Sequence, residues 1–256
     1  MLGAIAGDVI GSVYERRPIK TLDFPLFHAH SRFTDDSVLT IAIADAILQG
    51  MEYAEALKAY GRQYPHAGYG GAFYQWIFAA ESRPYNSWGN GSAMRVSPVG
   101  CAFATVEEVL QEAERTAIVS HNHPEGIKGA QATALAIFMA RKGLDKATIR
   151  TEIRQRFGYD LERTVDDIRP NYRFDVSCQG TVPEAIIAFL DSTDYEDAIR
   201  KAISLGGDSD TLACITGAIA QAYYKEIPPL IVQEVHRRLP EEFLQVIHRF
   251  HARYPL

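Results

Sequence analysis

The sequence has only three cysteines and no long apolar run. Cys101, Cys178 and Cys214 are far apart and form no C-x-x-C pair, which argues against a disulfide framework or a zinc ribbon and favours a reducing compartment. No stretch approaches the roughly 20 apolar residues of a membrane span. The apolar N-terminus meets Asp8 within a few residues and lacks the basic region of a secretion signal. We therefore expect a cytoplasmic protein with no membrane partner.

An excess of positive charge is also missing. The 256 residues carry a formal net charge of -6, which gives no general electrostatic reason to bind nucleic acid. A polyanionic substrate would need a local device, such as a metal ion or a helix N-terminus. The hydrophobic content of 47% suffices for a sizeable core, and no Gly/Ser-rich or Pro-rich linker divides the chain. We expect one domain over residues 1–256.

Period-two alternation, which is typical of half-buried strands, is nearly absent. Apolar residues instead return every three or four positions through much of the chain. The segments with this pattern are 38–48, 106–118, 130–138, 183–190 and 212–223. The sequence therefore predicts an all-α fold, a compact single-domain bundle of roughly ten or more packed, crossing helices joined by short loops. The longest loop is expected between residues 157 and 180.

Two clusters of Thr and Asp lie directly before predicted helices, at residues 33–37 (FTDDS) and 206–211 (GGDSDT). Each alone is a common capped helix start with acidic residues in the first turn. Together, these carboxylates would repel one another unless a cation lay between them. Hard oxygen donors suit Mg²⁺ or Mn²⁺ better than zinc or copper, and there are enough of them for two ions. The candidate ligands are Thr34, Asp35, Asp36, Asp208, Asp210 and Thr211.

Three further sequence elements contain residues that could contact a ligand, and each allows more than one interpretation. Residues 3, 7 and 11 are glycines, so one face of the first helix is bare, either for a tight helix contact or for a ligand; Glu15 follows near its expected end. Residues 84–92 could offer backbone N–H groups to phosphate and the Trp88 ring for stacking, or could form a simple turn. His121 precedes another helix without recognisable zinc spacing, so we favour a ligand-contacting or capping role.

Taken in order, these elements resemble the ADP-ribosylglycohydrolase family, which includes dinitrogenase-reductase-activating glycohydrolase and the eukaryotic ADP-ribosyl-acceptor hydrolases. The resemblance rests on GAIAGDVIGSVYE, FTDDSVLTIAIADAIL, SWGNGSAMRVSPVG, SHNHPEGIKGAQATALAI and GGDSDTLACITGAIAQAYY. It implies an all-α fold around two Mg²⁺ or Mn²⁺ ions held by the six candidate ligands. It also implies that Glu15 lies near the metals and the substrate ribose, and His121 near the adenosine half. The implied cradle for the diphosphate and distal ribose is Ser87, Trp88, Gly89, Asn90 and Gly91.

The sequence departs from the family pattern at two places. Ser37 stands where a second Thr is usual, a change that keeps the hydroxyl group, and residues 123–125 lie in a region that varies with acceptor preference. Acceptor identity therefore stays open, whether a side chain, a base or a small molecule.

The resemblance predicts hydrolysis of the N- or O-glycosidic bond between ADP-ribose and an acceptor, with ADP-ribose as product. Asp35, Asp36 or Glu15 would act as the general base, and the sequence does not choose among them. One alternative is an inactive ADP-ribose-binding or structural relative, and another is a metal-dependent phosphoesterase. We expect a monomer, because no long apolar stripe is left unexplained.

Overall fold

The computed structural model describes residues 1–256 as helices joined by irregular segments, with no extended strand, which confirms the predicted all-α fold. No helix has both the length and the apolar character needed to cross a bilayer. The helices are α1 (Leu2–Gly11), α2 (Asp35–Gln49), α3 (Tyr53–Gln63), α4 (Gly71–Phe78), α5 (Gly91–Met94), α6 (Ser97–Ala102), α7 (Val106–Ile118), α8 (Pro124–Arg141), α9 (Lys146–Phe157), α10 (Val165–Ile168), α11 (Cys178–Leu190), α12 (Tyr195–Ser204), α13 (Ser209–Tyr224), α14 (Pro229–His236) and α15 (Glu241–Arg253).

Periodicity located the helices better than it located their ends. The predicted 106–118 segment coincides with α7, whereas α11 begins five residues before its predicted start and contains Pro183. The Ser177 side chain caps α11 by accepting from the N–H of Gly180, which fixes the earlier start. Pro183 lies in the second turn, where its missing N–H removes one backbone hydrogen bond of the helix.

The expectation of short loops is wrong for residues 12–34, which contain no helix. Hydrogen bonds within the segment and to distant parts of the chain hold it in place. The Tyr14 hydroxyl donates to the carbonyl of Pro25 at 2.6 Å, and Arg200 donates to the carbonyl of Phe24 at 2.8 Å. Lys20 donates to the carbonyl of Tyr172 at 2.9 Å. The segment is thus ordered by tertiary hydrogen bonds, which local sequence patterns do not reveal.

The core is one continuous cluster of 74 buried hydrophobic residues, and α1 lies wholly inside it. The bare glycine face of α1 packs on α13: a Cβ at Gly7 would overlap the carbonyl of Ala213, and one at Gly3 would overlap that of Gly217. Of the two roles left open for this face, the structure therefore supports a tight helix contact. This contact carries the start of α13 alongside the end of α1.

Candidate metal and ligand site

The N-termini of α2 and α13 meet at a group of buried acidic side chains. The Thr211 hydroxyl lies 3.4 Å from Asp36 Oδ2, which joins the two clusters that are far apart in sequence. Carboxylate oxygens of Asp8, Asp36 and Asp210 all lie within 4.8 Å of one another, and all three residues are buried. The fold therefore brings both predicted clusters into one place and adds a third carboxylate from α1.

The two helix starts differ in how they use their first residues. Thr34 caps α2 in the ordinary way, with its hydroxyl accepting from the N–H of Asp36 at 3.3 Å. Asp208 occupies the capping position of α13, yet its side chain makes no capping bond and instead accepts from Asn90 Nδ2 at 2.7 Å. Gly206, at φ 65°, provides the left-handed turn that sets Asp208 in the loop before the helix. Helix capping therefore accounts for the side-chain hydrogen bond of Thr34 but not for that of Asp208.

Asp8 is a site residue that the sequence interpretation did not single out. Its Oδ2 accepts from the N–H of Thr34 at 2.9 Å, from the N–H of Ser37 at 3.1 Å and from the Ser37 hydroxyl, and its Oδ1 accepts from the Thr34 hydroxyl at 2.7 Å. Four hydrogen bonds occupy the lone-pair sites of a carboxylate. Asp8 therefore positions the first turn of α2. The available signal was a lone charge in an otherwise apolar buried helix, which must be paired.

The electrostatics of the cluster favour bound protons or bound cations. Burial raises the pKa of Asp8 to about 6, against the lowering effect of its hydrogen bonds, and burial together with the charge on Asp8 raises the pKa of Asp35 to about 8. Burial and neighbouring carboxylates also raise the pKa values of Asp36 and Asp210 far above the ordinary range. For Asp208 the pKa is raised by burial. A bound cation would relieve the repulsion that helps to raise these pKa values.

The residues present fit a divalent cation of the Mg²⁺ class. Asp36 Oδ1 is buried without any hydrogen-bond partner, and the side chains of Asp35 and Glu15 make no hydrogen bond to another residue. These free carboxylate oxygens, with the hydroxyls of Thr34 and Thr211, form an all-oxygen donor set suited to Mg²⁺ or Mn²⁺. An unpaired buried carboxylate oxygen is costly unless a cation or proton neutralises it.

A cleft of about 420 Å³ opens directly over this cluster. All six candidate metal ligands line it, together with Glu15, Ser87, Gly89, Asn90, Gly91 and His121 from the candidate binding set. Trp88 is the one predicted site residue that does not line the cleft. Trp88 is 54% exposed, and its ring makes an edge contact with His123, at 5.6 Å between ring centroids. In this structure the backbone of Trp88, rather than its ring, takes part in the architecture of the site.

The loop of residues 87–91 is pinned to the start of α11. The N–H of Asn90 donates to the carbonyl of Val176 at 2.7 Å, and the N–H of Cys178 donates to the carbonyl of Trp88 at 2.9 Å. A Cβ at Gly91 would lie 3.0 Å from His121 Nε2, so the missing side chain leaves room for close approach of the loop to this histidine. The result is a rigid loop that presents backbone to the cleft.

His121 and Arg95 form a buried polar pair at this wall. Arg95 is fully buried, and its Nη2 donates to the Ser120 hydroxyl at 2.9 Å; that hydroxyl in turn lies 2.8 Å from His121 Nδ1. Burial and the Arg95 charge lower the pKa of His121 well below its ordinary value, so the imidazole is neutral. If the serine donates to Nδ1, Nε2 carries the remaining proton toward the loop.

Arg95 also lines the cleft, yet its Nε and Nη1 have no hydrogen-bond partner and no carboxylate pairs with it. A buried cation without a counter-ion is unusual, because removing charge from water is expensive. Sequence analysis did not identify Arg95. Its only local signal was a charged residue within the otherwise apolar Ala93–Val99 stretch.

Part of the rim of the cleft is formed by the segment after α1. Glu15, Arg16 and Arg32 line it, and both arginines are exposed. Glu15 lies beyond the end of α1, because that helix stops at Gly11 rather than near Pro18. Burial, followed by the charge on Asp208, raises the pKa of Glu15.

Comparisons with known proteins identify the family and the fold. The ADP-ribosylglycohydrolase family model matches residues 1–255. The chain is 25% identical to the ADP-ribosylhydrolase ARH3 of Mus musculus and of Homo sapiens over 304 aligned residues, covering 88% of this chain and 82% and 84% of those proteins.

Two further matches extend the comparison to a bacterial protein and a solved structure. The ADP-ribosylarginine hydrolase Tri1 of Pseudomonas putida is 25% identical over 270 residues, covering 92% of this chain and 72% of Tri1. A solved structure described as an ADP-ribosylglycohydrolase-related protein complex superposes with a TM-score of 0.76 at 24% identity, covering 98% of this chain and 95% of the other. That likeness establishes the fold.

Proposed function

Since the chain belongs to the ADP-ribosylglycohydrolase family, we propose that it releases ADP-ribose from a modified protein side chain in a reaction that requires divalent cations at the acidic cluster. The family makes it a hydrolase of ADP-ribosylated substrates. The metal requirement and the site residues are our proposal. The observation that carries it is the meeting of Asp36 and Asp210 beneath the cleft, with Asp36 Oδ1 unpaired.

Two Mg²⁺ or Mn²⁺ ions would be held by Thr34, Asp35, Asp36, Asp208, Asp210 and Thr211. When bound, such ions supply positive charge that orients ribose hydroxyls and makes a nearby water easier to deprotonate. The Asp8 carboxylate accepts a hydrogen bond from the Thr34 hydroxyl and so fixes the position of Thr34. Asn90 holds Asp208. These two contacts keep ligands from two separate helices in one arrangement before substrate arrives.

The proton from the attacking water goes to a carboxylate on the cleft side. Asp36 is buried between the hydroxyls of Thr34 and Thr211. Asp35 and Glu15, by contrast, are partly exposed and free of hydrogen bonds to other side chains. We therefore place the general base among Asp35 and Glu15. Cleavage at the anomeric carbon develops positive charge on the ribose, which the surrounding carboxylates stabilise, and the acceptor leaves with the proton that the general base took from water.

The other wall would hold the rest of ADP-ribose. Ser87, Gly89 and Gly91 line the cleft where a diphosphate would lie, and the Gly89 N–H holds the Ser87 hydroxyl in place by donating to it at 3.1 Å. The neutral His121 ring lines the same wall and would lie beside the adenosine half. The unpaired charge of Arg95 lies behind this wall and favours an anionic group in front of it.

The test is release of ADP-ribose from arginine-linked and serine-linked ADP-ribosylated peptides, with Mg²⁺, with Mn²⁺ and with chelator. We expect release with a metal and none with chelator, and the same loss in Asp35→Ala. Asp23→Asn is the matched control, because Asp23 is an exposed carboxylate of the same chain segment outside the cleft. Release that persists in chelator would refute the metal requirement.

A further inference from the structure

The rim of the cleft next to Glu15 carries two exposed arginines, Arg16 and Arg32. We propose that Arg16 and Arg32 bind acidic residues that flank the modified side chain of a protein acceptor, so that the enzyme prefers ADP-ribose on acidic peptide segments. This inference rests on the proposed function and names the class of acceptor for the same site.

The first observation is that both guanidinium groups are available. Arg16 and Arg32 line the cleft and are exposed, and neither side chain makes a hydrogen bond or ion pair. Elsewhere in the chain, arginines are generally engaged: Arg163, Arg200 and Arg238 each bind a carboxylate. Guanidinium groups are suited to bidentate binding of carboxylates.

The second observation is the position of this rim relative to the bond that breaks. In the proposed mode of binding, adenosine lies against His121 and the ribose lies over the acidic cluster. The acceptor must then leave on the side away from His121. We assign the acceptor to the part of the cleft that Glu15, Arg16 and Arg32 line, because the charge of Glu15 interacts with Asp208 of the acidic cluster and with both arginines.

Charge decides between an acidic peptide and a nucleic acid. The chain as a whole has a net charge of -6, so a long polyanion would be repelled outside this rim. A peptide with one or two carboxylates beside the modified residue needs only the local pair. Glu15 is the one carboxylate on this rim, and it would repel acidic groups of the acceptor that came close to the acidic cluster. The acidic groups of the acceptor would therefore lie at the outer rim, beside the arginines.

The experiment compares two ADP-ribosylated peptides that differ only in flanking Glu or Gln residues, each prepared with a serine linkage and an arginine linkage. For the wild-type enzyme we expect kcat/KM to be about 3- to 10-fold higher for the Glu-flanked peptide, as for two partly exposed ion pairs. The preference should shrink at high salt, because exposed charges are screened.

The variants separate the inference from general damage. Arg16→Gln combined with Arg32→Gln should abolish the preference, and Arg32→Glu should reverse it, so that the Gln-flanked peptide is cleaved faster than the Glu-flanked one. Arg17→Gln is the matched control, since Arg17 is exposed and adjacent in sequence but does not line the cleft. It should keep the wild-type preference.

Each remaining outcome overturns a different statement. Equal wild-type rates on Glu-flanked and Gln-flanked peptides would overturn the inference alone, whereas no release from any peptide would overturn the proposed function. An equal loss on both peptides in the double variant, together with weaker binding of free ADP-ribose, would assign the arginines to the diphosphate instead. Faster release from an ADP-ribosylated oligonucleotide than from either peptide would favour a nucleic-acid acceptor.

Discussion

Replacing Asp36 by Asn separates the electrostatic account of the site from a structural one. Asp36 is 2% exposed, and its carboxylate lies within 4.8 Å of those of Asp8 and Asp210. Two charges at that separation repel by about 3 kcal/mol at an effective dielectric constant of ~20. Partial protonation relieves some of this repulsion. We therefore expect Asp36→Asn to stabilise the metal-free protein at pH 8 by roughly 1–3 kcal/mol.

The assay is thermal unfolding with chelator and with Mg²⁺, paired with turnover of an ADP-ribosylated peptide. For a chain of this length the expected stabilisation raises the metal-free Tm by about 2–10 °C. Mg²⁺ should raise the Tm of the wild type but not of Asp36→Asn, because a ligand-bound folded state is stabilised only where the ligand binds. Turnover should fall on the order of 10³-fold or more.

A structural role for Asp36 gives the opposite pattern. If the carboxylate served mainly to hold the hydroxyls of Thr34 and Thr211, Asp36→Asn would lower the metal-free Tm. Mg²⁺ would then act equally on both proteins. Either result would refute the electrostatic reasoning.

Three other predictions follow from the same structure. Burial raises the pKa of Asp8 to about 6 and that of Asp35 to about 8 in the folded chain. Between about pH 4 and pH 8 the folded chain therefore holds protons that the unfolded chain has lost. The metal-free protein should be most stable below about pH 4 and should lose stability as the pH rises to about 8. Unfolding in chelator should show this decline and saturating Mg²⁺ should remove it; a metal-free stability that rises with pH would contradict it. Gly7→Ala should lower the free energy of unfolding by about 3 kcal/mol or more, because the added Cβ overlaps α13. Gly71→Ala, which has open space around its Cβ, should leave that free energy nearly unchanged when both are measured by denaturant unfolding. Similar effects of the two substitutions would refute the close contact. Arg95→Lys should weaken ADP-ribose binding about 10-fold by calorimetry, because a lysine keeps the charge but not the planar fork; unchanged affinity would remove Arg95 from the binding wall.

Much of the fold was predictable from the sequence because helical periodicity is a local property. The pattern over 106–118 matched α7 to the residue. The segment 12–34 was not predictable in the same way, since partners such as Arg200 and Tyr172 come from far along the chain. The glycine repeat of α1 indicated a close approach, but only the structure identified α13 as the surface approached.

The candidate site shows the same division between local and long-range information. Thr34 and Asp210 could be selected because they start helices with acidic first turns. Their meeting in space depends on the packing of α1 against α13, which no local pattern reveals. Asp8 was missed because its partners lie 26 and 29 residues away. The Trp88 ring was expected to stack on substrate, a prediction that stays open while the ring lies outside the cleft lining.

The central claim is that the acidic cluster between α2 and α13 breaks the bond between ADP-ribose and its acceptor. The most direct measurement is mass spectrometry of both products after wild-type enzyme and Mg²⁺ act on an ADP-ribosylated peptide, with Asp36→Asn as the control. The account predicts intact ADP-ribose and an unmodified peptide from the wild type, and neither from Asp36→Asn. AMP with a peptide that keeps ribose phosphate would instead mean cleavage of the diphosphate and would contradict the claim.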